Sequence, residues 1–384
     1  MENINIKTRQ IQRLTEGATV TDIRFASFVG VDLHKCTVTL RAVDASEKII
    51  SSLTIDTKCV NKIEDWINAL PRPCWMAVEA VSFAEWFIDR YRNCVERIDI
   101  ADAAELARRR GKRRKTDRKD ALDVAVRLAR GTCPLGFIAD EPLMKLRKLG
   151  RHWRQLSRTL SRAKHCIKSI LNAANIRGPK FDGASGQKWL LANGHLLKDV
   201  QRDAFANFLD IIMLIERQRQ CLRTKIIFAN RTKEFSARIT MLKSVSGIDE
   251  IWACIIAAEV GPFERFPNAD TLEFWAGLTP DTKESAGRIQ SGKITKAGSA
   301  TLRWAICKAA VTLCKSDARQ EAIRQRLIKR AGKAKANVAM GRRLLRTIYA
   351  MMRDGTLYER GKPTNHLQNA NKARKKRRKQ KEAA

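Results

Sequence analysis

Between Phe28 and Ile100 the chain alternates short apolar runs with segments of helical spacing. Phe28-Val29-Gly30-Val31-Asp32 reads as a buried strand that ends in an acid. From Cys36 to Val43, Val38, Leu40 and Ala42 alternate with Thr37, Thr39 and Arg41, the period of a strand with one buried face. Lys48 to Ile55 predicts a third strand. Ile63, Trp66, Ile67 and Leu70 are spaced for a helix over Val60 to Leu70. Trp75-Met76-Ala77-Val78-Glu79 is a short strand that again ends in an acid, Ser82 is placed to cap a helix running to about Val95, and Arg97 to Ile100 is a fifth strand. A basic helix carrying Asp117 and Asp120 follows. Three strands, then helix, strand, helix, strand and helix, is the order of a ribonuclease-H-like fold, a meander joined to parallel strands through helices. In that arrangement the first and fourth strands are neighbours, which would set Asp32 beside Glu79.

The texture changes near Pro142. Leu146, Leu149, Trp153, Leu156, Leu160, Ala163, Ile167, Ile170 and Ala174 repeat at three–four spacing, the seam of a coiled coil. Arg177-Gly178-Pro179 stops it, and Lys180 to Gly186 reads as a loop. A second seam runs through Phe205, Phe208, Ile212, Ile215, Leu222, Ile226 and Ala229, with Arg219 intruding at a seam position. The two seams predict either an antiparallel hairpin or a contact between protomers. Leu242 to Ile248 reads as a turn between two helices, with Gly247 at its centre. A buried helix over Ile251–Val260 and a short one over Thr271–Ala276 follow. Residues 277–300 are polar and Gly-rich, predicting a flexible loop with serines at 285, 291 and 299. Thr301 opens an apolar helix to about Cys314, and residues 316–355 are helical and basic.

The expected fold class is thus α/β plus α. The parts are a flexible leader (1–24), a ribonuclease-H-like domain (25–140), a coiled-coil region (141–236), a mainly helical C-terminal domain (237–355) and a basic disordered tail (356–384).

Charge narrows the partners. The 384 residues carry 75 Lys and Arg against 40 Asp and Glu, a formal charge of +35 that repels itself unless a polyanion accompanies it. Nucleic acid is the first candidate. No apolar run is long enough to span a bilayer, and the N-terminal residues lack the apolar core of a signal peptide. The ten cysteines are scattered without a CxxC pair or a four-ligand spacing, which argues against zinc and against a disulfide framework and for reduced thiols in a cytoplasm.

The candidate chemistry lies in Lys115-Thr116-Asp117-Arg118-Lys119-Asp120-Ala121. Nine of the twelve residues from Arg108 to Lys119 are Lys or Arg, yet two acids sit three apart and would share one helix face. On their own, these acids could simply relieve cationic repulsion on a solvated helix. With Asp32 and Glu79 they would make four converging carboxylates, a cluster that demands divalent metal, Mg²⁺ first. Arg113, Arg114, Lys115, Arg118 and Lys119 would then hold phosphates, as would the turn at Gly247 and the cations Arg288, Lys293, Lys296 and Arg303.

Gly30-Val31-Asp32, Glu79 and Lys115 to Ala121 resemble the DEDD set of the "one-ten" insertion-sequence family, which includes the Piv DNA invertase and has a RuvC-related domain. Ser244 to Ile248, Glu259-Val260-Gly261, Phe266, Ala276 to Pro280, Lys296-Ala297-Gly298 and Leu302-Arg303 resemble the same family's C-terminal domain, in order. The resemblance implies a recombinase of a mobile element, guided by a structured bridge RNA that pairs with donor and target DNA. It implies Mg²⁺ at the four acids, a serine nucleophile matching Ser285, and protomers assembled as a dimer or tetramer in the bacterial nucleoid. The chain departs from the family pattern at Ala80-Val81-Ser82 and at Ala286, the latter leaving Ser291 as an alternative nucleophile. The competing expectations are a DEDD nuclease or junction resolvase using metal-activated water, and a non-catalytic RNA-binding protein.

Overall fold

The computed structural model describes residues 24–110, 116–178, 182–229, 233–285 and 288–361. The chain divides after Ile138 into two compact units.

The first unit is built on a six-stranded sheet of order β3-β2-β1-β4-β5-β6. Its strands are β1 (Ser27–Leu33), β2 (Thr37–Val43), β3 (Ile49–Asp56), β4 (Cys74–Glu79), β5 (Arg97–Ala101) and β6 (Leu135–Gly136). β1 pairs antiparallel with β2 and parallel with β4, so the first and fourth strands are neighbours, as the element order predicts. Every residue of β1 is buried. Side chains of alternate residues leave a strand on opposite faces. One face carries Val29, Val31, Met76 and Val78 and packs against α1 (Val60–Asn68) and α2 (Ala84–Tyr91) through Ile63, Ile67, Phe87, Ile88 and Tyr91. The other carries Phe28 and Ala77 and packs against Leu106 of α3 (Ala103–Arg110) and Val124, Ala125 and Leu128 of α4 (Asp117–Ala129).

Three details differ from the sequence reading. The helix expected from Ser82 starts at Ala84 and tightens to a 3₁₀ turn at Arg92–Cys94. β6 is too short to leave a periodic signal. The single basic helix is two helices: α4 begins at Asp117 because Thr116 takes extended angles, φ −147° and ψ 140°, and opens a new first turn.

Among its described residues the second unit is helical apart from short turns and one hairpin. The two seams lie on α5 (Glu141–Ala173) and α7 (Asp199–Ala229), which pack on each other within the chain. Leu160, Ala163, Ile167 and Leu171 meet Phe205, Leu209, Ile212 and Ile215, and Lys164 bridges Glu216 at 3.2 Å. Arg219 stacks its guanidinium 4.4 Å from the Trp153 ring centroid, which accounts for a cation at a seam position. Of the segment read as a loop at Lys180 to Gly186, the described part from Asp182 on instead caps and opens a helix, α6 (Gly183–Asn193). Two glycines argue against a helix by propensity, but Asp182 and Ser185 form a reciprocal capping box, and Gly183 and Gly186 let α6 lie against Met213 and Leu209 of α7.

Beyond α8 (Lys233–Lys243), α9 (Glu250–Val260) is buried on nearly every side, as its continuous apolar sequence requires. α10 (Ala269–Trp275) follows, then the hairpin of β7 (Pro280–Ser285) and β8 (Arg288–Ile294), then α11 (Ala300–Ser316), α12 (Ala318–Ala331) and α13 (Lys333–Asp354). The hairpin replaces the flexible loop expected over 277–300; its strands are too polar to show apolar alternation. Of the expected tail only residues 356–361 are described; among them Tyr358 is buried and donates its hydroxyl to Asp317 at 2.7 Å. Among the described residues no helix is long and apolar enough to cross a membrane.

Candidate functional site

Four acids from three elements of the first unit converge. β1 and β4 run parallel with Val31 opposite Val78, so the next residues, Asp32 and Glu79, sit side by side at the carboxyl ends of two central strands. Gly30 and Asp32 share a face of β1, the face that α4 covers. At Gly30 the helix comes so near that a Cβ would lie 2.0 Å from the carbonyl oxygen of Ala121 and 2.6 Å from the amide nitrogen of Ala125. Only glycine permits this approach, and the approach carries the start of α4 to Asp32. Along α4 one stripe runs Asp117, Asp120, Ala121, Val124, Ala125, Leu128. It is apolar where it lies on the sheet and acidic where it passes the strand ends. Two carboxylates in a first turn also suit the positive end of the helix dipole.

The electrostatics record the convergence. Asp32 is only 8% exposed. Burial pushes its carboxyl up to about 6; His34 opposes the rise, while Asp117, Glu79 and Asp120 add to it. All three other acids are therefore near enough to be felt at Asp32. His34 Nε2 lies 3.5 Å from Asp32 Oδ2 and 3.5 Å from Asp117 Oδ1. One ligand atom from each of Asp32, His34 and Asp117 falls within 4.8 Å of the others, a spacing that a single divalent cation can bridge. A buried carboxylate among three like charges fits such a cation well. His34 was not among the residues singled out from the sequence; its place two residues after Asp32, just past the strand's end, was the available signal.

The remaining candidates divide. Arg118 and Lys119 are exposed on the first turn of α4, whereas Arg113, Arg114 and Lys115 lie outside the described residues. Gly247 (φ +99°) lies against α11, where a Cβ would be 2.9 Å from the amide nitrogen of Leu313, so packing alone explains this glycine. Ser285 ends β7 and pairs with Arg288, the first residue of β8, at the tip of the hairpin, while Ser291 pairs with Thr282 lower down. Lys293 and Lys296 are exposed. Arg303 works inside the fold: its Nη1 donates to the carbonyls of Ala276 at 3.0 Å and Lys296 at 3.4 Å, holding the hairpin's base. Ser299 is likewise engaged, since its Oγ accepts from Leu302 N–H and donates to Glu259 Oε2 at 2.8 Å. Glu259 is 1% exposed and also accepts from Arg151 at 3.0 Å, so the α9 carboxylate ties α5 to the start of α11. Trp275 receives Ser299 N–H and Gly277 receives Lys296 N–H, which closes the base.

A ribonuclease-H-like sheet with acids at the ends of its first and fourth strands, closed by an acidic helix turn, defines the class of phosphoryl-transfer enzymes that work on nucleic acids through bound metal. Comparison with known proteins agrees and narrows the class. Residues 29–176 match the family model of the IS110 DEDD domain, described as "Transposase", and residues 239–325 match the model described as "Transposase IS116/IS110/IS902 family". The chain belongs to this IS110 family of transposases. It is 29% identical over 151 residues to the "Insertion element IS110 uncharacterized 43.6 kDa protein" of Streptomyces coelicolor, covering 39% of this chain and 36% of that protein. It is 22% identical over 305 residues to the "Putative transposase y4qE" of Sinorhizobium fredii, covering 78% and 74%. A second protein of that organism, "Putative transposase y4pF/y4sB", is 25% identical over 167 residues, or 42% of each chain. The chain thus spans little more than a third of the length of the Streptomyces relative.

Proposed function

We propose that this protein is a transposase that breaks and rejoins DNA strands, with Asp32, Glu79, Asp117 and Asp120 as its metal-binding set and Ser285 as its nucleophile. The observation that carries the reading is the convergence of the four acids around a buried Asp32 whose carboxyl is raised to about 6. Folding has gathered like charge there at a cost in stability, as a site for a cation requires. When bound, Mg²⁺ would neutralise charge building on the phosphate undergoing transfer.

Within this reading, Asp32 and Glu79 are fixed by rigid strands and Asp117 and Asp120 by a helix turn clamped at Gly30. Arg118 and Lys119 offer exposed charge to a phosphate backbone beside the acids, and Lys293 and Lys296 do so along the hairpin. Ser285 attacks phosphorus: an Oγ–P bond forms, the P–O bond to the departing strand breaks, and the hydroxyl proton passes to the released oxygen. The phosphoserine keeps the energy of the broken diester, so a second strand's hydroxyl can reseal it without a cofactor. Sequence choice is assigned to a bridge RNA paired with donor and target DNA, and the working form to a homo-oligomer. These two assignments and the Ser285 role follow from the family resemblance; the hairpin tip, the formal charge of +35 and the exposed cations are consistent with them.

The test is covalent trapping. Full-length protein is incubated with Mg²⁺, nicked DNA carrying the element's junction and RNA transcribed from its non-coding flank, then denatured and examined for protein-linked DNA. An adduct in the wild type that is absent in Ser285→Ala, with nucleic-acid binding retained, is the expected result. An adduct that survives Ser285→Ala but disappears in Ser291→Ala would move the nucleophile. Cleaved ends with no adduct would assign the reaction to a water nucleophile and the chain to the nucleases.

A further inference from the structure

His34 is not one of the four acids, yet its ring reaches two of them, Asp32 and Asp117. β1 ends at Leu33, and the His34 backbone N–H is anchored to the Thr37 carbonyl at 2.8 Å, which fixes the turn into β2. Standing two residues after Asp32, His34 returns its side chain towards the same face. Its Nε2 is equidistant, at 3.5 Å, from one oxygen of Asp32 and one of Asp117. That is long for a hydrogen bond, whose N···O separation centres on about 2.9–3.0 Å. It is right for ligands sharing an ion: two donors each about 2.1–2.3 Å from one cation, at angles between square and tetrahedral, stand roughly 3.0–3.7 Å apart.

We propose that His34 is a nitrogen ligand of the cation held by Asp32 and Asp117, which makes one position of the site mixed nitrogen and oxygen rather than all carboxylate. The proposal rests on the reading of the acids as a metal site and adds to it a selectivity. Imidazole is a softer donor than carboxylate or water, so it strengthens binding of Mn²⁺ and later transition ions more than binding of Mg²⁺. The alternative role for the ring is a protonated counter-charge that steadies the acids when no metal is bound. That role predicts no bond to the metal, and it would make His34 a competitor of the cation rather than a partner.

The experiment uses the full-length protein without nucleic acid and Mn²⁺ as the probe. Mn²⁺ binding is titrated by electron paramagnetic resonance, and pulsed measurements look for nitrogen coupling to the bound ion. The variants are His34→Ala and, as the locator of the site, Asp32→Asn. His34 is half exposed, so the protein should still fold cooperatively without it, which the melting profile checks. The expected result is nitrogen coupling in the wild type, its loss in His34→Ala, and at least about a tenfold drop in Mn²⁺ affinity against a fall of about threefold or less for Mg²⁺ measured by competition. Mn²⁺ bound at the Asp32-dependent site without nitrogen coupling would overturn the proposal while leaving the metal site standing. Coupling that persists in His34→Ala would also overturn it. If Asp32→Asn binds Mn²⁺ like the wild type, the metal reading of the acids falls, and the proposal with it.

Discussion

Replacing Asp32 by Asn should stabilise the metal-free protein at neutral and alkaline pH. The Asp32 carboxyl rises from its ordinary 3.8 to about 6, with burial as the first cause and three neighbouring acids adding to it. A shift of about 2 units corresponds to about 3 kcal/mol, because each unit is worth about 1.36 kcal/mol. The sign follows from proton counting. Between 3.8 and 6 the folded chain still holds the Asp32 proton while the unfolded chain has released it. Raising the pH through that window therefore costs the folded state, and the full cost is present above it. The amide that replaces the carboxyl never ionises and escapes the cost. In urea unfolding without divalent ions, with hydrogen exchange of the β1 peptide reporting the first unit, Asp32→Asn should exceed the wild type by about 3 kcal/mol at pH 8 and match it near pH 4. Mg²⁺ should then raise the wild type and leave the variant nearly unmoved, because only the wild type gains binding free energy. A variant equal to or weaker than the wild type at pH 8, or a gap that widens as pH falls, would refute the electrostatic argument.

Two further substitutions probe how the structure positions its parts. Gly30→Ala puts a methyl 2.0 Å from the Ala121 carbonyl oxygen, so α4 must move away from β1; a loss of at least about 1–3 kcal/mol in unfolding and a drop in DNA cleavage should appear together. Arg151→Ala leaves the Glu259 carboxylate, 1% exposed, with Ser299 as its remaining side-chain donor; a loss of about 3 kcal/mol in the second unit is expected, at the low end for a broken buried pair because Arg151 is itself half exposed, and hydrogen exchange at the start of α11 should quicken.

The first unit was legible because its logic is local and repetitive. Strand ends carry acids at Asp32 and Glu79, and strand order alone makes those ends neighbours. The α4 stripe was legible as a spacing of three. What the sequence could not display was the nearness of α4 to β1: Gly30 in an apolar run looks like any small residue until Ala121 is seen beneath it. His34 was hidden because its meaning depends on Asp117, which is remote in sequence and close only after folding. In the second unit, packing overrode propensity. Gly183 and Gly186 read as loop residues, yet their lack of side chains is what lets α6 settle on α7. The β7–β8 hairpin was invisible because both strands are polar, and its base is held by Arg303 and by backbone bonds from Ser299 and Lys296 that periodicity does not encode.

The most direct test of the central claim is DNA cleavage by four single variants, Asp32→Asn, Glu79→Gln, Asp117→Asn and Asp120→Asn, each assayed with Mg²⁺ beside a measurement of DNA binding. Each replacement removes one charge and almost no volume. Loss of several kcal/mol of transition-state stabilisation predicts cleavage at least about a thousandfold slower in every variant. DNA binding should be retained or slightly tightened, since each variant is one charge more positive. Cleavage at the wild-type rate in any of the four would remove that acid from the site, and cleavage at the wild-type rate in Asp32→Asn would contradict the account as a whole.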